Sequence, residues 1–374
     1  MSRLPAFFGK SRRARRAFAR SLALAQIWRK IGLSSLAAAS IEYDRGNMSA
    51  APPSIERLAE LAPLLAAGGV GVASVRSISG GASQELWSVA VRTALGETSV
   101  VLRRAPQQRV RSELAIPIEL EAELIAAAHR GGVPSPRVLY VLQAKDGLGA
   151  GFFMEHVEGE ALGQKIVRDD AFAAVRPRLA RQCGEILARI HALARPAALP
   201  ATPIAGIVDA LERQHRSEEW PRPVFEIAFR WLRENAPGDT APRVVHGDFR
   251  NGNLLIGPDG VAAVLDWELA HGGDPMEDLG WICVNSWRFG AIDKPVGGFG
   301  MREDLYAGYQ SAGGAPVDLR RVRFWEVLGT LRWGVICTMS TVALREGAAA
   351  GLERAMIARR ASETELDLLN LLEG

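Results

Sequence analysis

The stretch Val244-Val245-His246-Gly247-Asp248-Phe249-Arg250-Asn251-Gly252-Asn253-Leu254-Leu255-Ile256 constrains the fold more than any other part of the chain. Two apolar runs bracket a polar loop that holds two glycines. The polar side chains are therefore fixed at strand ends on a rigid base. A further apolar run, Val261–Leu265, leads directly into Asp266-Trp267-Glu268. A plain hairpin with a polar turn would leave that second acidic strand end unexplained. Around this short β segment the pattern is helical, with helices expected at about 168–194, 205–235, 275–289, 302–311, 318–344 and 350–372. Upstream the period changes. After a short helix capped by Ser54 and running to about Ala66, period-two patterns at Val70–Ser79, Glu85–Val91 and Thr98–Arg103 predict an antiparallel meander. A helix from Ile118 to His129 follows, then strands near Arg137–Gln143 and Gly151–Glu155. The expectation is an α+β, bilobal molecule with a small antiparallel-sheet lobe over 54–157 and a mostly helical lobe over 158–374. With 374 residues, 48% of them hydrophobic, the chain has apolar material for two such lobes.

Composition narrows the function classes. Three cysteines without any C-x-x-C pair exclude a disulfide framework and the usual structural zinc site. The longest apolar run, Trp333 to Leu344, has 12 residues and falls short of a membrane span. Residues 1–47 carry ten basic and two acidic residues, a balance of +8 that leaves the other 327 at −5 within a total of +3. The basic character is thus a property of the tail, and nucleic acid is not an expected partner. The tail reads as a disordered extension, with a transit peptide, a membrane-surface helix or an upstream start before Met48 as alternatives. The body is expected to be cytoplasmic.

The spacing His246-x-Asp248-x-x-x-x-Asn253, followed by Asp266, supplies what phosphoryl transfer requires. One carboxylate must orient an acceptor hydroxyl and take its proton, and two oxygen ligands must hold Mg²⁺ on a triphosphate. Asp248 suits the first role, Asn253 and Asp266 the second. Among other candidates, His191 lies on an apolar helix and reads as a satisfied core histidine, and His271 falls in a turn. Asp274 reads as the N-cap before Pro275.

These residues resemble the aminoglycoside phosphotransferase and choline kinase family, a branch of the protein-kinase-like fold. The wording around them is most similar to bacterial kinases related to the kinase domains fused to acyl-CoA dehydrogenases. The resemblance spans about 54–372 and implies use of ATP and Mg²⁺. It implies a phosphate-covering loop at Ser79-Gly80-Gly81-Ala82-Ser83-Gln84, where Gly80 and Gly81 let backbone N–H groups approach phosphate and Ser83 adds a hydroxyl. It places Arg103 where the family has a strand-three lysine, with Arg104 as the alternative in the other register. A partner glutamate should come from the following helix, where Glu121 fits the family spacing best and Glu119 and Glu123 compete. Phe153–Gly159 corresponds to the hinge, so that Glu155 and Val157 would offer backbone groups to an adenine edge. His246 and Asp278 take supporting roles.

The acceptor is a small-molecule hydroxyl in this reading. Residues 301–374 hold ten acids and nine bases, whereas a pocket for a polycationic aminoglycoside should be strongly acidic. A neutral or anionic metabolite, such as a hydroxyacyl thioester, fits better. An antibiotic kinase is the alternative within the class. A non-catalytic, pseudokinase-like nucleotide-binding module is the alternative outside it, and intact Asp248, Asn253 and Asp266 argue against that. A basic membrane-associated scaffold would rest on the tail alone. Five tryptophans between 267 and 333 read singly as core.

Overall fold

The computed structural model describes residues 52–78, 84–105, 115–217, 220–345 and 352–373. All of them belong to one compact unit, Ser49–Gly374. The tail read as a basic extension, and the loop residues Gly80, Gly81 and Ser83, lie outside the described residues.

The first lobe begins with α1 (Ile55–Leu65), whose Ser54 side chain accepts from the Arg57 N–H at the cap. Five strands follow: β1 (Gly69–Ser77), β2 (Glu85–Thr93), β3 (Gly96–Arg104), β4 (Val138–Val141) and β5 (Gly151–Glu155). They form an antiparallel sheet in the order β1-β2-β3-β5-β4. Leu58, Leu61, Trp87, Val89, Val91, Leu102 and Phe153 meet in its core. Between β3 and β4 runs α2 (Ile118–Arg130), which packs with the larger core of the second lobe. Backbone bonds tie its two flanks there. The Ile116 N–H donates to the Glu268 carbonyl at 2.9 Å and the Val264 N–H to the Pro134 carbonyl at 2.8 Å.

The second lobe holds α3 (Gly163–Arg168), α4 (Arg176–His191), α5 (Ile204–Ser217), α6 (Pro223–Glu234), α7 (Met276–Trp281), α8 (Arg302–Ser311), α9 (Leu319–Arg345), α10 (Leu352–Ala358) and α11 (Ala361–Glu373). Four expected long helices are divided. Pro177 is tolerated only in a first turn, so α4 starts at Arg176 and a 3-10 turn capped by Asp169 separates it from α3. Pro223 opens α6 in the same way, after Pro221 has ended the run from α5. α7 stops at Trp281, and Asn285–Arg288 is a 3-10 turn that closes on Phe289 in the left-handed region. The last expected helix breaks at Arg359-Arg360 into α10 and α11. Helices α4 and α8 approach so closely that a Cβ on Gly184 or Gly308 would overlap a backbone carbonyl of the other helix.

The apolar runs around the polar loop do not pair with each other. β6 (Arg243–Val245) pairs with β9 (His271–Gly273), and β7 (Leu254–Gly257) pairs with β8 (Gly260–Val264), both antiparallel. His271, expected in a turn, is therefore the first residue of a short strand. Asp274 supplies the cap bond of α7 by accepting from the Met276 N–H at 3.1 Å, although Pro275 occupies the N-cap position itself. After β5 the chain crosses to the second lobe and zips to β7 through paired bonds between Glu160 and Ile256.

Candidate active site

The loop between β6 and β7 is anchored from below by Asp278 on α7. Its Oδ2 accepts from the His246 N–H at 2.8 Å and its Oδ1 from the Gly247 N–H at 3.0 Å. His191 on α4 adds a third bond at 3.1 Å and passes its other ring nitrogen to the Tyr309 hydroxyl at 2.9 Å. Burial by itself would raise the Asp278 carboxyl, but His191, His246 and the backbone donors hold it below the usual carboxylate range. His191 is thus fully partnered. Gly247 must be glycine on two counts: its φ is +76°, and a Cβ there would overlap the Leu269 carbonyl.

His246 is completely buried, which lowers its pKa and keeps the ring neutral. Nε2 reaches the Leu265 carbonyl at 3.0 Å, and Nδ1 accepts from the Asp248 N–H at 3.2 Å. The ring lies 4.8 Å from that of Trp267. These bonds leave His246 no free nitrogen for a metal or a reacting proton.

Asp248 is held by three side chains. Its Oδ2 accepts from Asn253 Nδ2 at 2.6 Å, and its Oδ1 accepts from Trp281 Nε1 at 2.9 Å and from Arg250 Nε at 3.1 Å. Asn253 Nδ2 also bonds the Asp248 carbonyl at 2.9 Å, so the Asn253 amide nitrogen is committed and its oxygen remains. At the end of β8, Asp266 takes φ +65° and ψ +62°, a left-handed conformation that costs an L residue on the order of 1 kcal/mol or more. Its side chain is 36% exposed.

The first lobe contributes Arg103 from β3. Its Nη2 lies 2.9 Å from Glu121 Oε1, 2.8 Å from Asp266 Oδ1 and 3.4 Å from Glu268 Oε2. Burial disfavours the Arg103 charge, but the three carboxylates more than offset it and hold the guanidinium above its ordinary value. Burial pushes Glu121 up to about 7 against the pull of Arg103. Of the three glutamates on α2, Glu121 is the one that faces Arg103. Arg104 points the other way and pairs with Glu85 at 2.6 Å. Gln84, just ahead of β2, bonds Glu268 at 3.2 Å.

At the hinge, the Glu155 N–H is already given to the Arg137 carbonyl at 3.0 Å and its carboxylate lies 3.7 Å from Arg137. Val157 lies beyond the strand and is half-buried. The structure therefore brings Asp248, Asn253, Asp266, Arg103, Glu121, His246 and Asp278 into one cluster, with Glu155 and Val157 on the chain segment between the lobes.

The sequence did not single out Trp281, which bonds the Asp248 carboxylate directly. Its ring lies 5.3 Å from Trp287, which lies 4.9 Å from Trp333. Each carries an arginine: Arg332 over Trp281, Arg250 over Trp287 and Arg360 over Trp333, at 5.3, 4.6 and 5.8 Å.

The residues present suit a magnesium ion, since the Asn253 carbonyl oxygen and the Asp266 carboxylate are hard oxygen donors at the neighbouring ends of the paired strands β7 and β8. Among the described residues no group of three or more His, Cys, Asp or Glu forms a metal cage. Magnesium needs none, because it keeps waters and binds largely through the phosphates of its nucleotide.

With a bilobal fold and this carboxylate–amide–carboxylate set, the molecule falls in the class of protein-kinase-like phosphotransferases. The chain belongs to the phosphotransferase enzyme family (APH), whose model matches residues 74–325. It is similar to mouse acyl-CoA dehydrogenase family member 10, 30% identical over 208 residues, a match covering 51% of this chain and 18% of that protein. The chain thus spans only a fraction of that relative's length. Among solved structures it is similar to a Ralstonia eutropha JMP134 protein assigned as an aminoglycoside phosphotransferase, with TM-score 0.66, 21% identity and coverage of 84% of this chain and 96% of that one. It is also similar to the choline kinase LicA of Streptococcus pneumoniae, with TM-score 0.54, 18% identity and coverage of 82% and 96%. At these identities the two structures speak for the fold alone.

Proposed function

We propose that this protein moves the γ-phosphoryl group of ATP to a hydroxyl of a small molecule. The observation that carries the reading is that Asp248 and Asn253 are bonded within one loop, with Asp266 at the end of β8 and Arg103 reaching in to it from the opposite lobe. ATP lies between the lobes, its adenine edge against the backbone of Glu155 and Val157 and its phosphates under the Gly80-Gly81-Ser83 loop. Asn253 and Asp266 hold Mg²⁺, which neutralises charge on the phosphates when bound. Arg103, fixed by Glu121, meets the phosphates from above as a bidentate donor. The Asp248 carboxylate accepts the hydrogen bond of the acceptor hydroxyl, aims its oxygen in line with the γ-phosphorus and takes the proton. Trp281 and Asn253 keep that carboxylate from turning away.

The acceptor in this reading is a hydroxyacyl thioester or a similar metabolite. The relatives named for acyl-CoA dehydrogenases support an acyl group. The arginines over Trp281, Trp287 and Trp333 also favour a neutral or anionic acceptor, because a polycationic aminoglycoside would meet like charge on those rings. Three unpaired, buried cysteines fit a cytoplasmic setting. The test is a panel of short hydroxyacyl-CoA thioesters, an aminoglycoside and choline, each with Mg·ATP, read as ADP formed above the acceptor-free rate. Stimulation by a hydroxyacyl thioester supports the acceptor class. Stimulation by kanamycin or choline alone would contradict it.

A further inference from the structure

The two oxygens of the Asp248 carboxylate are unequally loaded. Oδ1 accepts two bonds, from Trp281 Nε1 at 2.9 Å and from Arg250 Nε at 3.1 Å, whereas Oδ2 accepts one, from Asn253 Nδ2 at 2.6 Å. An ionised carboxylate offers two lone-pair directions on each oxygen. Oδ1 is therefore filled, and Oδ2 keeps one direction for a further donor. The side chain is 14% exposed, so that direction is still open to a donor from outside.

Trp281, which helps to fill Oδ1, is itself held from α9. A Cβ on Gly329 would stand 2.8 Å from Cε3 of the Trp281 ring, and one on Gly280 would stand 2.8 Å from the Glu326 nitrogen. The two helices α7 and α9 thus cross closely enough for the indole to lie against bare backbone. Arg332, one turn on from Gly329, lies over the ring at 5.3 Å from its centroid. Glu277, one turn before Trp281, faces Arg332 at 3.9 Å and His271 at 3.1 Å. Trp287 packs on the other indole at 5.3 Å and supplies a comparison. Both tryptophans are buried, but Trp287 Nε1 has no hydrogen-bond partner among the described residues. Packing alone leaves an indole N–H in that condition, whereas the Trp281 N–H is aimed at a carboxylate.

We propose that Trp281 is a positioning residue: by filling Oδ1 of Asp248 it makes Oδ2 the oxygen that takes the acceptor proton. The proposal rests on the phosphoryl-transfer reading of Asp248. In the step, the hydroxyl proton passes to Oδ2, the acceptor oxygen forms a bond to the γ-phosphorus, and the bond from that phosphorus to the β–γ bridging oxygen breaks. The bridging oxygen leaves on ADP with the electron pair, and the proton goes on to solvent. Trp281 touches neither acceptor nor nucleotide and sets only the plane of the carboxylate. Without its N–H the carboxylate turns more freely about its Cβ–Cγ bond, and Oδ2 is less often within hydrogen-bond reach of the hydroxyl. A base out of reach of its proton does not act, and small misplacements are costly.

The test compares the full-length wild type with Trp281→Phe and Trp287→Phe. Turnover is γ-label moved from Mg·ATP to water or to a small-metabolite extract, followed over a range of ATP concentrations to separate kcat from KM. Trp281→Phe keeps an aromatic ring and removes the N–H. It should lower kcat about 10- to 10²-fold, the worth of a hydrogen bond to a charged group, with KM for ATP changed less than about threefold. Trp287→Phe makes the same cut in the same aromatic wall but removes an N–H that bonds nothing. Its loss in kcat should be smaller by at least about fivefold. Equal losses in the two variants would reduce Trp281 to packing and overturn the proposal. A wild-type kcat in Trp281→Phe would also overturn it and leave the phosphoryl-transfer reading standing. A wild type that moves no label overturns both. If Trp281→Phe does not fold, β-(3-benzothienyl)alanine in place of Trp281 keeps the bicyclic ring and lacks only the N–H, and the same outcomes decide.

Discussion

Arg103 Nη2 lies 2.8 Å from Asp266 Oδ1, joining β3 of the first lobe to the end of β8 in the second. The same nitrogen touches Glu121 and Glu268. A guanidinium thus holds the carboxylate that the proposed function gives to a metal.

The first prediction concerns Asp266. Asp266→Ala should weaken Mg-dependent ATP binding more than Asn253→Ala, because a carboxylate is a stronger ligand for a hard cation than an amide. Titration calorimetry with and without Mg²⁺ measures it. Normal and equal Mg·ATP affinity in both variants would remove the metal assignment.

Asp278 is a second point of leverage. It takes hydrogen bonds from two consecutive backbone N–H groups and from His191, all buried. Asp278→Ala leaves those three donors without an acceptor and should cost about 3–5 kcal/mol of stability. Urea denaturation of the variant reads this out. A loss below 1 kcal/mol would mean that the loop is held by something other than Asp278.

The third prediction is a pH dependence. His271 Nε2 lies 3.1 Å from Glu277 Oε2. Burial opposes its charge, but Glu277 and the Leu269 carbonyl outweigh burial and push the imidazole up to about 9. An unfolded histidine titrates near roughly 6.5, so the folded state binds the extra proton between the two values. The stabilisation is fully present below about 6.5 and is lost as pH rises through about 9, an amount on the order of 1 to 3 kcal/mol. Melting curves from pH 6.5 to 9.5 should fall more steeply for the wild type than for His271→Gln. Parallel declines would show that His271 is not charged in the folded state.

Much of this arrangement was legible in the chain, and the reason is local. His246, Asp248 and Asn253 fall within eight consecutive residues, and Asp266 ends the next strand, so spacing alone carries their geometry. Arg103 could be placed only up to a one-residue slip, which reverses the face of a strand; pairing of Leu86 with Arg103 across β2 and β3 fixes it. Trp281 was not legible as a partner of Asp248, because 33 residues and a helix start separate them and indoles more often fill cores. The divided helices had a visible signal in Pro177, Pro221 and Pro223, which periodicity over long windows overrides. Arg250 stands inside the motif, but its place over the Trp287 ring exists only in the folded loop.

The most direct measurement concerns Asp248, whose carboxylate receives three donors and to which the proposed function gives the acceptor hydroxyl. Wild type and Asp248→Asn are incubated with γ-labelled ATP, Mg²⁺ and a small-metabolite extract, and nucleotide affinity is measured alongside. Label should move to a small molecule with the wild type. It should fall at least about 10²- to 10⁴-fold with Asp248→Asn, while ATP affinity stays within a few fold, because the amide keeps the shape and loses the basicity. Transfer by Asp248→Asn at the wild-type rate would contradict the mechanism.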